Sequence, residues 1–339
     1  MKNNKTVMIA LGGNALSPKN ESGTINQQFA HTKKSLKSVM HFVKAGYNIC
    51  ITHGNGPQVG AELSRNEIAS KSVPPLPLGV LVANTQGAMG YMIQQSLQNA
   101  LYSVDSEREV VSFISQMKVD SNDPAINKPS KFIGLSYNDE KAKDNMKKLG
   151  WVMKEQEPGL WRRVVPSPAP LYIFNGKSIK HLVDFGTIVI AGGGGGIPAF
   201  NLDDGSLEGL DGVIDKDMTA ALLGRIIKSQ ELFIITDVDN IYLNFKTESQ
   251  EVVHNTNAKN IEKWLNEGQF WRGTMEPKIK AALYFLKHHG QEVVITSINN
   301  IEKAIQNLKD TLKNENAEAS EIKTNLDALN TAAMKLGEI

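Results

Sequence analysis

Glycine-centred turns recur behind short apolar runs in this chain, and that recurrence restricts the fold more than any other feature. The turns read "GGNAL" at 12–16, "HGNGPQVG" at 53–60, "GGGGGIP" at 192–198 and "GTMEPK" at 273–278. Strand-like segments are expected at Thr6–Leu11, Asn48–Thr52, Glu109–Ser115, Thr187–Ala191, Glu231–Thr236 and Gln291–Thr296, each short, apolar and closed by turn residues. Helical patterns fill the intervals: Phe29, Leu36, Val39, Met40 and Val43 share one face, and Gly46 stands where a left-handed cap is wanted. Strands alternating with helices imply a mostly parallel sheet covered on both faces. The carboxyl ends of such strands lie on one edge, where ligands of open α/β folds bind, so the turns should converge there.

A glycine turn that leaves a strand and opens a helix can hold an anion, because bare backbone N–H groups and a helix N-terminus both favour negative charge. The same turn can be plain punctuation. Five successive glycines, Gly192 to Gly196, lose much conformational entropy on folding, which favours the anion reading there. Two familiar phosphate motifs are missing. No stretch fits G-x-x-x-x-G-K-[ST], and Val59 and Ile197 stand where G-x-G-x-x-G needs its third glycine.

Charge lies close to balance, with a formal net charge of +1 and 22% charged residues, which excludes nucleic-acid or membrane binding driven by bulk charge. The single cysteine, Cys50, rules out disulfides within the chain and a cysteine-rich metal site, and its apolar strand marks it as a buried structural thiol. The apolar stretch near the N-terminus is too short for a signal peptide, and no run of about 18 apolar residues follows, so a cytoplasmic protein is expected.

Two regions depart from the alternation. Between Asp120 and Pro170 prolines accumulate and long apolar runs are few, which suggests a small subdomain or lid of about 120–170 set into a main domain of 1–312. Residues 313–339 are polar up to Ser320 and then space Ile322, Leu326, Leu329, Ala333 and Leu336 at three and four, the pattern of an extra amphipathic helix.

In "VIDKDMTAALL", Lys216 sits between two carboxylates at a helix start. Acids there are ordinary dipole partners and a neighbouring lysine is usually a solvated charge. If the ligand is phosphate the lysine matters more, because a transferring phosphoryl group is stabilised by fixed cations. Lys131 in "KPSKFIG" and Lys278 in "GTMEPK" are the other lysines set beside glycine or proline in loops. Three lysines converging on phosphates would make a kinase without a P-loop. "FIITDVDNIYL" ends an apolar strand in Thr236, Asp237 and Asp239. These acids are either turn formers or readers of ribose and base donors, with Tyr242 offering a flat face.

Seven motifs in order, "IALGGNAL", "THGNGPQVG", "RRVVPSP", "GGGGGIP", "VIDKDMTAALL", "TDVDNIYLNF" and "GTMEPK", strongly resemble the carbamate kinases of the amino-acid kinase superfamily over about residues 6–300. The resemblance implies a three-layer α/β/α sandwich with a mostly parallel sheet of about eight strands, a homodimer, and the reaction ATP + carbamate ⇌ ADP + carbamoyl phosphate, run towards ATP during arginine fermentation. By motif, Lys216 and Lys278 would stabilise the transferring phosphoryl group, Asp217 would orient both, and Lys131 would reach carbamoyl phosphate. Gly12, Gly13, Asn14, His53, Gly54, Asn55 and Gly56 would cradle substrate and phosphoryl oxygens, with Gly193, Gly194 and Gly195 near the substrate end. Thr236, Asp237, Asp239, Tyr242, Gly273 and Met275 would border the nucleotide. Mg2+ would arrive on the phosphates of ATP or ADP rather than on protein side chains.

Three features depart from the family pattern: Glu276 where a small residue is usual, Phe132 in place of the proline after the subdomain lysine, and the tail. An inward Glu276 would repel nucleotide phosphates. Two other functions compete with the first: a paralogous kinase for another small carboxylate or carbamate-like acid, and a nucleotide-binding regulator without turnover.

Overall fold

A computed structural model describes residues 4–18, 21–236, 238, 240–271 and 275–297, together with 307, 311, 318, 320, 323–324 and 334–337. Its central sheet runs, edge to edge, Asn255–Thr256, Met334–Gly337, Glu292–Ser297, Glu231–Thr236, Thr6–Leu11, Asn48–His53, Ile188–Ile190 and Val110–Ser112. The six strands from Glu292–Ser297 to Val110–Ser112 are mutually parallel. Thr6–Leu11 lies inside the sheet, and later strands are added on both of its sides.

Every residue of Thr6–Leu11 is buried, because helices cover both sheet faces. Val7, Ile9 and Leu11 point to one side with Leu36 of helix Ile25–Lys44 and Met89, Ile93 and Leu97 of helix Leu78–Tyr102. Met8 and Ala10 point to the other, where Leu223 of helix Lys216–Ile227 and Phe285 of helix Met275–Lys287 pack. The two-residue repeat of a strand thus feeds two cores at once, which is why it reads as a continuous apolar run. Cys50 sits in the second core, and burial pushes its thiol up to about 12, so it is an inert packing group.

A second sheet, in the order Leu207–Gly209, Ile197–Asn201, Gln116–Lys118 and Tyr172–Ile173, takes up both flanks of the proline-rich excursion. Between those flanks, strands Lys131–Tyr137, Leu160–Val165 and Met153–Glu157 form a separate antiparallel sheet beside helix Asp139–Leu149. Asn138 caps that helix through its side chain, and Gly150, at φ 64°, ends it. Ile133 and Val165 at the base of the subdomain pack with Val59, Leu63 and Leu81 of the main body.

One strand expectation and one helix expectation need correction. Glu109–Ser115 is not one strand: Val110–Ser112 closes the central sheet and Gln116–Lys118 joins the second. The chain changes sheets because Gln86 Oε1 accepts from the Ser115 N–H at 2.6 Å, taking a donor that the ladder would have used. In the tail, Leu336 belongs to a strand and not to an amphipathic helix. Met334–Gly337 pairs antiparallel with Glu292–Ser297 and supplies hydrogen-bond partners that the strand would otherwise lack on that side. Ile322, Leu326, Leu329 and Ala333 lie outside the described residues. Among the described residues no helix is long and apolar enough to cross a membrane.

Candidate active site

The turns after Thr6–Leu11 and Asn48–His53 meet at the carboxyl edge of the sheet. Gly12 N donates to Ile235 O at 2.8 Å, and Gly54 N donates to Leu11 O at 2.9 Å. A side chain on Gly54 would put its Cβ 2.8 Å from Gly13 N, so only bare backbone allows the two turns to touch. Beside them opens a cleft of about 350 Å3 lined by Gly12, Gly13, Gly54, Asn55 and Gly56 on this side. Helix Gly56–Ala69 starts at the cleft with Pro57 in its first turn, where a missing N–H is harmless. Helix Lys216–Ile227 also starts there, so two positive helix ends face one space.

The five-glycine run has mostly a steric cause. Gly192, Gly194, Gly195 and Gly196 all have positive φ, and a Cβ on Gly194 or Gly195 would fall 2.2 Å from Asn55 Nδ2 or 2.1 Å from Ile214 O. Of the run only Gly194 lines the cleft; Gly193 and Gly195 are buried behind it. Entropy alone therefore does not require an anion here, because packing already demands glycine.

His53 is also behind the cleft wall, 1% exposed, with its ring Nδ1 3.1 Å from Gly54 O. A carbonyl can only accept, so Nδ1 carries the proton. Burial lowers its pKa to about 4, the bond to Gly54 opposing and the Lys216 charge assisting. His53 is a neutral strut under the turn. Asn55 is 8% exposed and donates from Nδ2 to Thr85 Oγ1 at 2.9 Å.

Lys216 and Lys278 enter the cleft from the first turns of two helices and are braced by one carboxylate. Asp217 Oδ1 bonds Lys216 Nζ, and Asp217 Oδ2 accepts from Lys278 Nζ at 3.0 Å. The side chains are 13% and 15% exposed for the lysines and 4% for the aspartate, so the charges act in a partly dry space where they count for more than in water. Burial lowers the pKa of Lys216, while the Asp217 charge works against that shift. Burial also disfavours the Asp217 carboxylate, but the two ammonium groups overcome it and hold the acid well below its usual range. The Asp217 carboxylate is thus the main force that keeps the proton on Lys216.

Lys131 reaches the cleft from the subdomain, and Phe132 and Ile133 form an apolar wall beside it. Its Nζ lies 3.3 Å from Asp215 Oδ2. Phe132 does not turn it away. Glu276 pairs with Lys280 at 2.7 Å and is not part of the lining, whereas its neighbours Met275, Pro277 and Lys278 are; the carboxylate points elsewhere. Asp215 is the residue that sequence reasoning passed over. It caps helix Lys216–Ile227 through Oδ1, and the D-K-D spacing with an N-cap acid is the signal that could have singled it out.

Where strand Glu231–Thr236 and helix Met275–Lys287 meet the cleft, Thr236, Val238 and Met275 line it. Tyr242 stands off the lining, 5.7 Å from Phe245, which in turn meets Trp271 edge-on at 6.3 Å. Asp237, Asp239 and Gly273 lie outside the described residues, as does the side chain of Asn14, whose backbone belongs to the short helix Gly13–Leu16.

Comparison with known proteins agrees with this geometry. The amino acid kinase family matches residues 5–297. A carbamate kinase of Pyrococcus horikoshii is 40% identical over 89% of this chain and 96% of its own. One from Staphylococcus epidermidis is 40% identical over 90% of this chain and 98% of its own. A solved carbamate kinase from Giardia lamblia, bound to AMP-PNP, superposes with a TM-score of 0.83 at 36% identity, covering 90% of this chain and 97% of that one. The chain belongs to the amino acid kinase family, among its carbamate kinases.

Proposed function

We propose that the protein transfers a phosphoryl group between carbamoyl phosphate and ADP, giving ATP and carbamate, and that it works mainly in this direction. The observation that carries the reading is the single carboxylate, Asp217, bracing two ammonium groups toward one cleft between bare glycine turns. A phosphoryl group in flight spreads charge over its equatorial oxygens and asks the protein for position and positive charge rather than covalent chemistry. Lys216 and Lys278 supply that charge in a fixed geometry, so little reorganisation is needed when the transition state forms. The Gly12–Gly13 and Gly54–Gly56 backbones and the start of helix Gly56–Ala69 cradle the oxygens. Lys131 meets the carbamoyl end, and Phe132 and Ile133 keep water from competing as acceptor.

Nucleotide binding is placed beside Thr236, Val238 and Met275. Among the described residues no group of three or more His, Cys, Asp or Glu gathers as a metal cage, and both cleft carboxylates are engaged by lysines. Mg2+ would enter with the nucleotide, where it would offset the charge of the phosphates. A homodimer is supported by the sheet edge Val110–Ser112, next to which Tyr91 and Ile114 are exposed.

Purified protein supplied with ADP, Mg2+ and either carbamoyl phosphate or acetyl phosphate tests the phosphoryl donor. ATP formation from carbamoyl phosphate at least about tenfold faster supports the reading; a preference for acetyl phosphate would place the protein with the paralogous kinases.

A further inference from the structure

The subdomain is joined to the catalytic helix along one short extended segment. Three successive alternate residues of 211–215 each hold it. Asp211 pairs with Arg163 at 2.6 Å, Val213 N donates to Pro166 O at 3.0 Å, and Asp215 Oδ2 accepts from Lys131 Nζ at 3.3 Å. Lys131 and Val165 are themselves register partners in the subdomain sheet, so both ends of that sheet's base meet the same segment. The next residue after it is Lys216. The base of the subdomain is thus tied, through two ion pairs and one backbone hydrogen bond, to the start of the helix that carries Lys216 and Asp217.

We infer that Asp215 is a positioning residue that holds Lys131 ready for the carbamoyl end of the substrate while capping the helix that carries Lys216. Its two oxygens divide the work. Oδ1 accepts from the N–H groups of Asp217 and Met218 at 2.9 and 3.4 Å, and Oδ2 takes the lysine. Lys131 is 43% exposed at its side chain, and a long lysine free in solvent must be ordered each time it meets an anion. A partner that orders it beforehand removes much of that loss. The inference rests on the role given to Lys131 above.

Asp215→Asn separates the two tasks. Asparagine caps a helix about as well as aspartate, but with its oxygen at the cap it turns an NH2 group toward the Lys131 ammonium, a donor facing a donor. The variant should melt like the parent and raise KM for carbamoyl phosphate roughly 5- to 30-fold, the range that lost ordering of one lysine allows, while KM for ADP moves less than twofold. In Lys131→Ala the same substitution should have no further effect on KM. An unchanged KM for carbamoyl phosphate in Asp215→Asn, equal losses for both substrates, or additive losses in the double variant would each overturn the inference. If Lys131→Ala itself leaves KM for carbamoyl phosphate unchanged, the role given to Lys131 fails first. A raised KM in Lys131→Ala without one in Asp215→Asn rejects the role of Asp215 alone.

Discussion

Asp217 Oδ2 and Lys278 Nζ lie 3.0 Å apart although 61 positions separate them in the chain. That contact joins the first turns of helices Lys216–Ile227 and Met275–Lys287, and the other oxygen of the same carboxylate bonds Lys216. Two lysines alone in a cleft would repel each other, and the charge of Lys278 lowers the pKa of Lys216. With Asp217 between them they form a fixed, charged pair.

Lys216→Ala and Lys278→Ala should each lower kcat about 100-fold or more, since removal of one preorganised charge from a transition state costs about 2.7 to 4 kcal/mol. Circular dichroism should show the fold retained. Arginine at either site should restore little, because its planar fork does not reproduce a compact ammonium.

Asp217→Asn should move the alkaline limb of the kcat–pH profile to lower pH. Burial already lowers the Lys216 pKa, and the Asp217 charge is the largest influence that opposes it. Without that charge the ammonium loses its proton earlier as pH rises. An alkaline limb unchanged between parent and variant would show that Lys216 does not need Asp217 to stay charged.

His53 should make the fold less stable in mild acid. Burial holds its pKa at about 4 in the folded protein, against the ordinary 6.5 of a histidine in the unfolded chain, so between these values the unfolded chain binds the proton and the folded one does not. The stability it contributes is complete above about pH 6.5 and is lost as pH falls through 4, amounting to about 3 kcal/mol. Urea unfolding from pH 7 to 4 should show this decline in the parent and a shallower one in His53→Gln.

Gly195→Ala should destabilise by more than about 2 kcal/mol, because a left-handed residue with a side chain is strained and the new Cβ meets a carbonyl. The displaced carbonyl belongs to Ile214, next to Asp215, so kcat should fall as well. Unfolding at the parent's urea midpoint would contradict the steric account of the glycine run.

Local signals carried the sheet. Thr6–Leu11 and Glu231–Thr236 are strands over the spans that their apolar runs marked, because a strand buried on both faces announces itself without reference to its neighbours. What escaped was set at long range. Gln86 ends the strand at Ser112 from a helix nearly thirty residues upstream. Met334–Gly337 is too short to show a two-residue repeat, so the strand that holds Leu336 shows itself only once Glu292–Ser297 is present to pair with it. In the site, the three lysines were legible because each sits in a recognisable motif. Asp215 was not, since its partner Lys131 lies 84 positions away. The glycine run was noticed for the right residues and a different reason: its neighbours, Asn55 and Ile214, exist only in the folded chain.

In the proposed reaction Lys216 and Lys278, braced by Asp217, move a phosphoryl group between carbamoyl phosphate and ADP. Luciferase detection of ATP, with carbamoyl phosphate, ADP and Mg2+ given to the parent and to Lys216→Ala and Lys278→Ala, tests it most directly. ATP should accumulate with the parent and fall about 100-fold or more in each variant. Binding of ADP by the parent without any ATP, or undiminished ATP formation in both variants, would contradict it.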